Sequence, residues 1–388
     1  MTNSLQSKIG TSAFAFRGYN TTNLGRTPEL LAHPVYRPTI RRYLDRASEI
    51  CEEIVRRPVD LAGAVADKRE YGLDRYAEAV AMIVAADLAQ VELLEEFHGV
   101  RFREAKLAYG YSLGELSAVA CAGVFTMAEI LSVPVAMAED AAALAANTTM
   151  GILFSRGPTI DEIDVNRLCR LITSEGGGTI AVSSILTPNT YLLLGQNDTI
   201  ARFKAQMHEF LPDPAHLKLN PEKWPPLHTP IVRQKHIPDR AAVMMDSMRG
   251  GLQPPCPPVL SLVTGKRSYD DYHARDILRN WVDHPQRLWD AVYETLSNGT
   301  STVIHVGPGP NVIPATFARL SENVTQQMAG RSIGQMGMRA AAGLARRPWL
   351  SSLLPSRAAL LRAPMLHHVI LEDWLLEHSP RETGDGGQ

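Results

Sequence analysis

Apolar positions recur along this chain at two alternating spacings. Thr11 to Phe16 mixes small and aromatic residues and breaks at Arg17-Gly18-Tyr19-Asn20, which predicts a strand ending in a glycine turn. Helices are predicted from about Thr39 to Arg57 and from Arg75 to Phe97. The second spaces Val80, Ile83, Ala86, Leu88 and Val91 about one turn apart, as a helix laying one face on a sheet would. The apolar run Leu107-Ala108-Tyr109-Gly110 then leads through Tyr111-Ser112 into an Ala-rich helix beginning near Leu113. From Met127 to Asn147 the pattern is helical, with a kink or restart expected at Pro134, which has no amide proton to donate. Strands alternating with helices predict a mostly parallel sheet covered on both faces.

Residues 148 to about 219 read as a separate module. The succession is an apolar run Met150 to Phe154, a helix Ile160 to Ser174, a strand Ile180 to Ile185, a turn at Pro188-Asn189, a strand Tyr191 to Leu194, a helix Thr199 to Leu211 and a strand His216 to Leu219. That order, βαββαβ, is the pattern of a small ferredoxin-like domain. A helical stretch from about Ile231 to Met248, broken near Pro238, a strand Val259 to Val263, a helix ending near Leu296 and a strand Thr302 to Val306 return material to the first sheet. The expected organisation is a large α/β core in two parts, 1–147 and 220–325, around the 148–219 insert, with 326–388 as a C-terminal extension. In that extension Arg331, Arg339, Arg346, Arg347, Arg357 and Arg362 alternate with apolar residues including Trp349, Leu350, Leu353 and Leu354. Met365 to Glu377 follows as an amphipathic helix.

Composition narrows the function classes. With 388 residues, 45% hydrophobic, 21% charged and a net charge of -2, the chain reads as a globular protein of more than one domain and not as a dedicated nucleic-acid binder. Cys51, Cys121, Cys169 and Cys256 lie far apart, which suggests neither a disulfide framework nor a zinc knuckle. Met1 to Gly10 lacks the apolar core of a signal peptide and no stretch is long enough to span a bilayer, so the cytoplasm is the expected location.

The chemistry concentrates at Gly110-Tyr111-Ser112-Leu113-Gly114. Flanking glycines let the chain turn sharply, so the hydroxyl stands exposed at a strand tip and the following amides point at an attacked carbonyl. A serine hydroxyl needs a base. Of the twelve histidines, His228 lies in the Pro-rich link Trp224 to Pro230 and His305 on a strand before Gly307. The order Ser, acid, His of a plain α/β-hydrolase would unite Ser112, Asp276 and His305. Gly307-Pro308-Gly309 lacks the lysine and spacing of a phosphate loop and reads as a turn. His367 and His368 are sequence neighbours with no spaced partner pair, so no metal is expected.

Several blocks, in order, resemble the malonyl-CoA:acyl-carrier-protein transacylase family, including the acyltransferase domains of polyketide synthases. They are Phe14-Ala15-Phe16-Arg17-Gly18, Gly110 to Glu115, Pro226-Leu227-His228, Pro258 to Gly265 and Val306-Gly307-Pro308-Gly309. The resemblance covers roughly residues 11 to 325. It implies an α/β-hydrolase-like core with an inserted ferredoxin-like subdomain, a Ser112 nucleophile and a His228 base. It further implies that a backbone carbonyl four residues before Pro285, Trp281 or with a slipped register Asn280, orients the imidazole, and that the amides of Leu113 and Tyr19 bind the oxyanion. Substrates would be coenzyme A or phosphopantetheine thioesters, with no permanently bound cofactor, and the partner an acyl carrier protein.

Four departures from the family pattern stand out, and the last of them changes the expected substrate. The family's opening G-Q-G-x-Q becomes Gly18-Tyr19-Asn20-Thr21-Thr22, Tyr111 precedes the serine in place of histidine, and Ser184 and Leu186 stand where asparagines are frequent. The arginine that grips a malonyl carboxylate in a bidentate pair, about 25 positions after the serine, falls on Met137. No Lys, Arg or His occurs from Leu113 to Ser155, and Arg156 is the first cation beyond. A desolvated carboxylate without a partner is costly, so the expected pocket, with Met137, Tyr111 and Ser184 around it, suits an uncharged acyl group. Malonyl transfer proper, hydrolysis of acyl-carrier-protein thioesters and a non-catalytic acyl-binding homologue are the alternatives. For the basic tail, a solvated extension, docking of an acidic carrier protein and contact with an anionic membrane surface compete.

Overall fold

The computed structural model describes residues 5–329 and 358–380. Two sheets organise them. The larger is five-stranded and parallel, in the order β7-β2-β1-β8-β9, from β1 (Ser12–Phe16), β2 (Leu107–Gly110), β7 (Val259–Leu260), β8 (Thr302–Val306) and β9 (His367–Ile370). β1, β2 and β8 are buried along their whole length, which their apolar runs require of central parallel strands. Along β1, Phe14 and Phe16 join the helices Arg37–Val55 and Tyr76–His98, while Ala13 and Ala15 face Trp289, Leu296 and Phe317 on the other side. The sheet is therefore covered on both faces.

The second sheet is four-stranded and antiparallel, in the order β4-β5-β3-β6, built from β3 (Thr148–Ser155), β4 (Ile180–Thr187), β5 (Thr190–Gln196) and β6 (Ala215–Asn220). Helices Glu162–Ser174 and Thr199–Gln206 cover it through Leu168, Ile172, Ile200 and Phe203. This is the strand order of a ferredoxin-like βαββαβ unit. Register shifts near Ser184 and Ile185 bend β4, and there its outer edge bridges to Gln286 while the strand stays paired with β5.

Several expectations are corrected. Tyr76–His98 does not cover the sheet with one face; Tyr76 to Asp87 is buried without interruption, because its Ala, Val and Met positions are apolar all round. β7 stops after two residues because Gly265, at φ +70, folds the chain back and its amide bonds Ser261 O at 2.9 Å. Pro134 stays inside the helix Met127–Ala136, and the break falls at Met137, before Ala138–Ala145. Downstream, a 3-10 turn Pro230–Lys235 and the helix Ile237–Asp246 meet at His236. Pro238 sits in the first turn of that helix, where its missing N–H leaves nothing unpaired.

The largest correction concerns the C-terminal segment. Met365 to Glu377 is not one amphipathic helix: β9 adds a parallel strand beside β8, and only Leu371–Glu377 is helical. The segment is part of the core, since Leu371 and Leu375 are fully buried, and Arg362 bonds the carbonyls of Leu296 and Thr300 at 2.5 and 2.8 Å. The basic run Arg331, Arg339, Arg346, Arg347 and Arg357, with Trp349, Leu350, Leu353 and Leu354, lies outside the described residues. Among the described residues no helix is long and apolar enough to cross a membrane.

Candidate active site

Ser112 sits between β2 and the helix Leu113–Cys121 with φ 54° and ψ -118°, a backbone conformation that costs a non-glycine residue of order 1 to 3 kcal/mol. Two glycines make the turn possible. A Cβ on Gly110 would collide with the backbone of Gly114, and one on Gly114 with the carbonyls of Phe16 and Arg17. The strained serine is held from both sides. Its carbonyl accepts the Trp281 indole N–H at 2.9 Å, and its own N–H donates to Gln286 Oε1 at 3.0 Å.

The hydroxyl meets an imidazole. Ser112 Oγ lies 2.7 Å from His228 Nε2, and His228 Nδ1 lies 2.7 Å from the Trp281 carbonyl. A carbonyl only accepts, so Nδ1 carries the proton and Nε2 offers its lone pair to the hydroxyl. His228 is itself at positive φ (62°), fastened by its N–H to Val282 O at 2.8 Å, with its ring edge-on to Trp281. Burial pushes the imidazole down to about 4, against the Trp281 carbonyl and the charge of Asp283, which both raise it. At neutral pH the ring is therefore uncharged and able to take a proton.

The rival array is not assembled. His305 is buried on β8 with Nε2 3.0 Å from His368 Nδ1, and Asp276 pairs at the surface with Arg279. The register is Trp281, not Asn280. Leu113 opens its helix, where an amide has no partner within the helix. Tyr19 lies in the loop after β1, where Gly18 packs against the elbow: a Cβ there would stand 2.6 Å from Tyr111 O. Neither amide is engaged by another described group.

The pocket residues fare differently. Met137 is 3% exposed inside the hydrophobic core and does not border the narrow apolar crevice behind Trp281 that Leu116, Ile130, Met245 and Leu278 line. Ser184 is fully buried with its hydroxyl on Gln286 O at 3.1 Å, and the Tyr111 phenol bonds Ser184, so this pair closes the seam to β4 rather than an open pocket. Arg156 is exposed beyond the end of β3. Among the described residues no cluster of three or more His, Cys, Asp or Glu is placed to hold a metal ion.

Three contributors escaped the sequence reading. Gln286 is fully buried against the elbow and the imidazole. Arg17 is buried with its guanidinium on the carbonyls of Gly18, Thr22 and Pro308, which pins the Tyr19 loop to the Gly307 turn. Glu372 accepts from the amides of Arg26 and Gly309, both at 2.8 Å, tying the far ends of that loop and that turn to the C-terminal helix. An arginine directly after an apolar strand, as Arg17 is after Phe16, was the available signal.

No protein-family model and no curated protein sequence matches the chain. Solved structures do match. A malonyl-CoA:acyl carrier protein transacylase from Xanthomonas oryzae aligns at TM-score 0.63 and 22% identity, over 79% of this chain and 90% of that one. An acyl carrier protein S-malonyltransferase from Vibrio cholerae aligns at TM-score 0.63 and 19% identity, over 79% and 92%. A malonyl-transacylase in complex with its type II polyketide acyl-carrier protein aligns at TM-score 0.59 and 20% identity, over 79% and 91%. The α/β core with its antiparallel second sheet is thus the fold of these transacylases.

Proposed function

We propose that the protein is an acyltransferase that moves an acyl group from a thioester to an acyl carrier protein through an acyl-Ser112 intermediate. The observation that carries this is the 2.7 Å contact between Ser112 Oγ and a His228 Nε2 whose tautomer the Trp281 carbonyl selects. Ser112 Oγ adds to the thioester carbonyl while Nε2 takes its proton. Collapse of the tetrahedral adduct breaks the C–S bond, and the imidazolium returns the proton to the departing thiolate. The phosphopantetheine thiol of the carrier protein then enters by the reverse sequence and leaves with the acyl group. The Leu113 and Tyr19 amides would bind the oxyanion in both half-reactions, each such donor being worth about 3 kcal/mol in the transition state.

The acyl group has two supported readings. The solved transacylases act on malonyl groups by name, which favours malonyl-CoA as donor. The interval from Leu113 to Ser155, without a single Lys, Arg or His, favours an uncharged group such as acetyl. Intact mass spectrometry after incubation with malonyl-, acetyl- and longer acyl-CoA decides between them. A stable adduct on Ser112 that transfers to a holo carrier protein is expected; release of free acid without transfer would make the protein a hydrolase, and no adduct from any donor would remove the enzyme.

A further inference from the structure

Gln286 lies just past Pro285 and ahead of the helix Leu288–Ser297, and it touches three parts of the molecule at once. Its backbone joins β4: the N–H donates to Ser183 O at 2.9 Å, and the carbonyl accepts from Ile185 N–H at 2.8 Å and Ser184 Oγ at 3.1 Å. Its side chain reaches the elbow and the imidazole. The orientation of the amide is fixed by chemistry, because the Ser112 N–H is a donor and the atom 3.0 Å from it must be the oxygen. Nε2 therefore faces His228 Nδ1, at 3.4 Å. Since Nδ1 already gives its proton to the Trp281 carbonyl at 2.7 Å, both atoms of that contact are donors and no hydrogen bond links them.

We propose that Gln286 is a positioning residue for the acyl-transfer site, standing beside the His228 Nδ1 that the Trp281 carbonyl holds and tying the nucleophile to the second sheet through β4. A carboxylate here would accept from Nδ1 and hold the imidazolium. An amide cannot, so the ring is steered by a backbone carbonyl alone and its neighbour stays neutral. Among the described residues the one charged group that acts on the imidazole is Asp283, which is itself occupied by Arg233 at 2.8 Å and His284 at 2.7 Å. The oxygen end of Gln286 meanwhile holds the strained Ser112 backbone in line. The inference rests on Ser112 as the acylated residue, and its test is chosen to read independently of turnover.

The test pairs Gln286→Glu with Gln286→Met in the full chain. NMR titration of the His228 ring should place the Glu variant more than about one pH unit above the wild type, as a carboxylate within reach of Nδ1 dictates. Superimposed titrations would overturn the proposal. In single-turnover acylation, Gln286→Met, which has no acceptor for the Ser112 amide, should lose about 10- to 100-fold in rate with donor KM unchanged. Gln286→Glu, which keeps an oxygen there, should recover most of that rate. A Met variant as fast as the wild type would likewise overturn the proposal, and if that variant does not fold, the titration of the Glu variant decides. Absence of any acylation in the wild type would instead sink the acyltransferase reading, while the ring titration would still support or overturn the placement of Gln286 beside the imidazole.

Discussion

The substitution Glu115→Gln should make the protein more stable at pH 8 while removing part of its pH dependence. Glu115 is fully buried behind the elbow, accepting the Tyr269 hydroxyl at 2.8 Å on one oxygen and the Leu262 N–H at 3.0 Å on the other. Burial raises its carboxyl to about 7, against the lowering effect of hydrogen bonds from Ser261, Tyr269 and Leu262. A carboxyl that titrates near 7 when folded and near 4.5 when unfolded links roughly 3 kcal/mol of stability to its protonation, at about 1.36 kcal/mol per pH unit. The folded chain holds the proton more tightly, so this stability is fully present below pH 4.5 and is lost as pH rises through 7. Glutamine fits the same contacts. Its oxygen accepts from Leu262, its amide donates to Tyr269 Oη, and the Tyr269 proton turns to Ser261, with which it already bonds. Urea denaturation of wild type and variant at pH 5 and pH 8 measures the difference. The wild type should lose about 2 to 3 kcal/mol more than the variant between the two values. Midpoints that move in parallel would refute the reasoning, because the carboxyl would then be neither desolvated nor coupled to folding.

Three further outcomes follow from the site. Ser112→Ala should leave no acyl adduct by mass spectrometry, His228→Ala should slow acylation about 10²- to 10⁴-fold, and His305→Ala should leave it within a few-fold; a dependence on His305 instead would reverse the assignment of the base. Because burial holds the His228 ring at about 4, the acylation rate should be flat from neutral pH down and fall only as pH drops through that region, and a half-drop near pH 6.5 would mean that the ring is solvated. Glu372→Ala should lower the unfolding midpoint, since it removes two part-buried hydrogen bonds, from the amides of Arg26 and Gly309, at about 0.5 to 1.5 kcal/mol each, whereas an unchanged midpoint would show that neither loop depends on the C-terminal helix.

What could be read from the chain and what could not divides along a physical line. The elbow was legible because its geometry is local: Gly110 and Gly114 are where they are so that a strand and a helix can approach across one serine. The four strands of the second sheet were legible for a related reason, since each alternates or runs apolar over five or more residues between clear turns. β9 was not. His367 to Ile370 is too short to declare a strand by itself, and it is one only because β8 offers an unpaired edge more than sixty positions upstream in register with it. Its neighbours Leu371 and Leu375 then gave the whole stretch a helical period. Met137, reached by counting from Ser112, lies at the break between two helices and is buried in the core, which a residue number alone does not disclose. Gln286 combines both difficulties, because a lone glutamine after a proline reads as a turn. It acquires a role only when β4, bent by its register shifts, brings Ser184 and Ile185 against its backbone and so aims its side chain at Ser112. The elbow is therefore written in ten consecutive residues, whereas its support is distributed over Trp281, Gln286 and β4, and substitutions in that distributed set should alter the rate of the proposed acylation before they alter the fold.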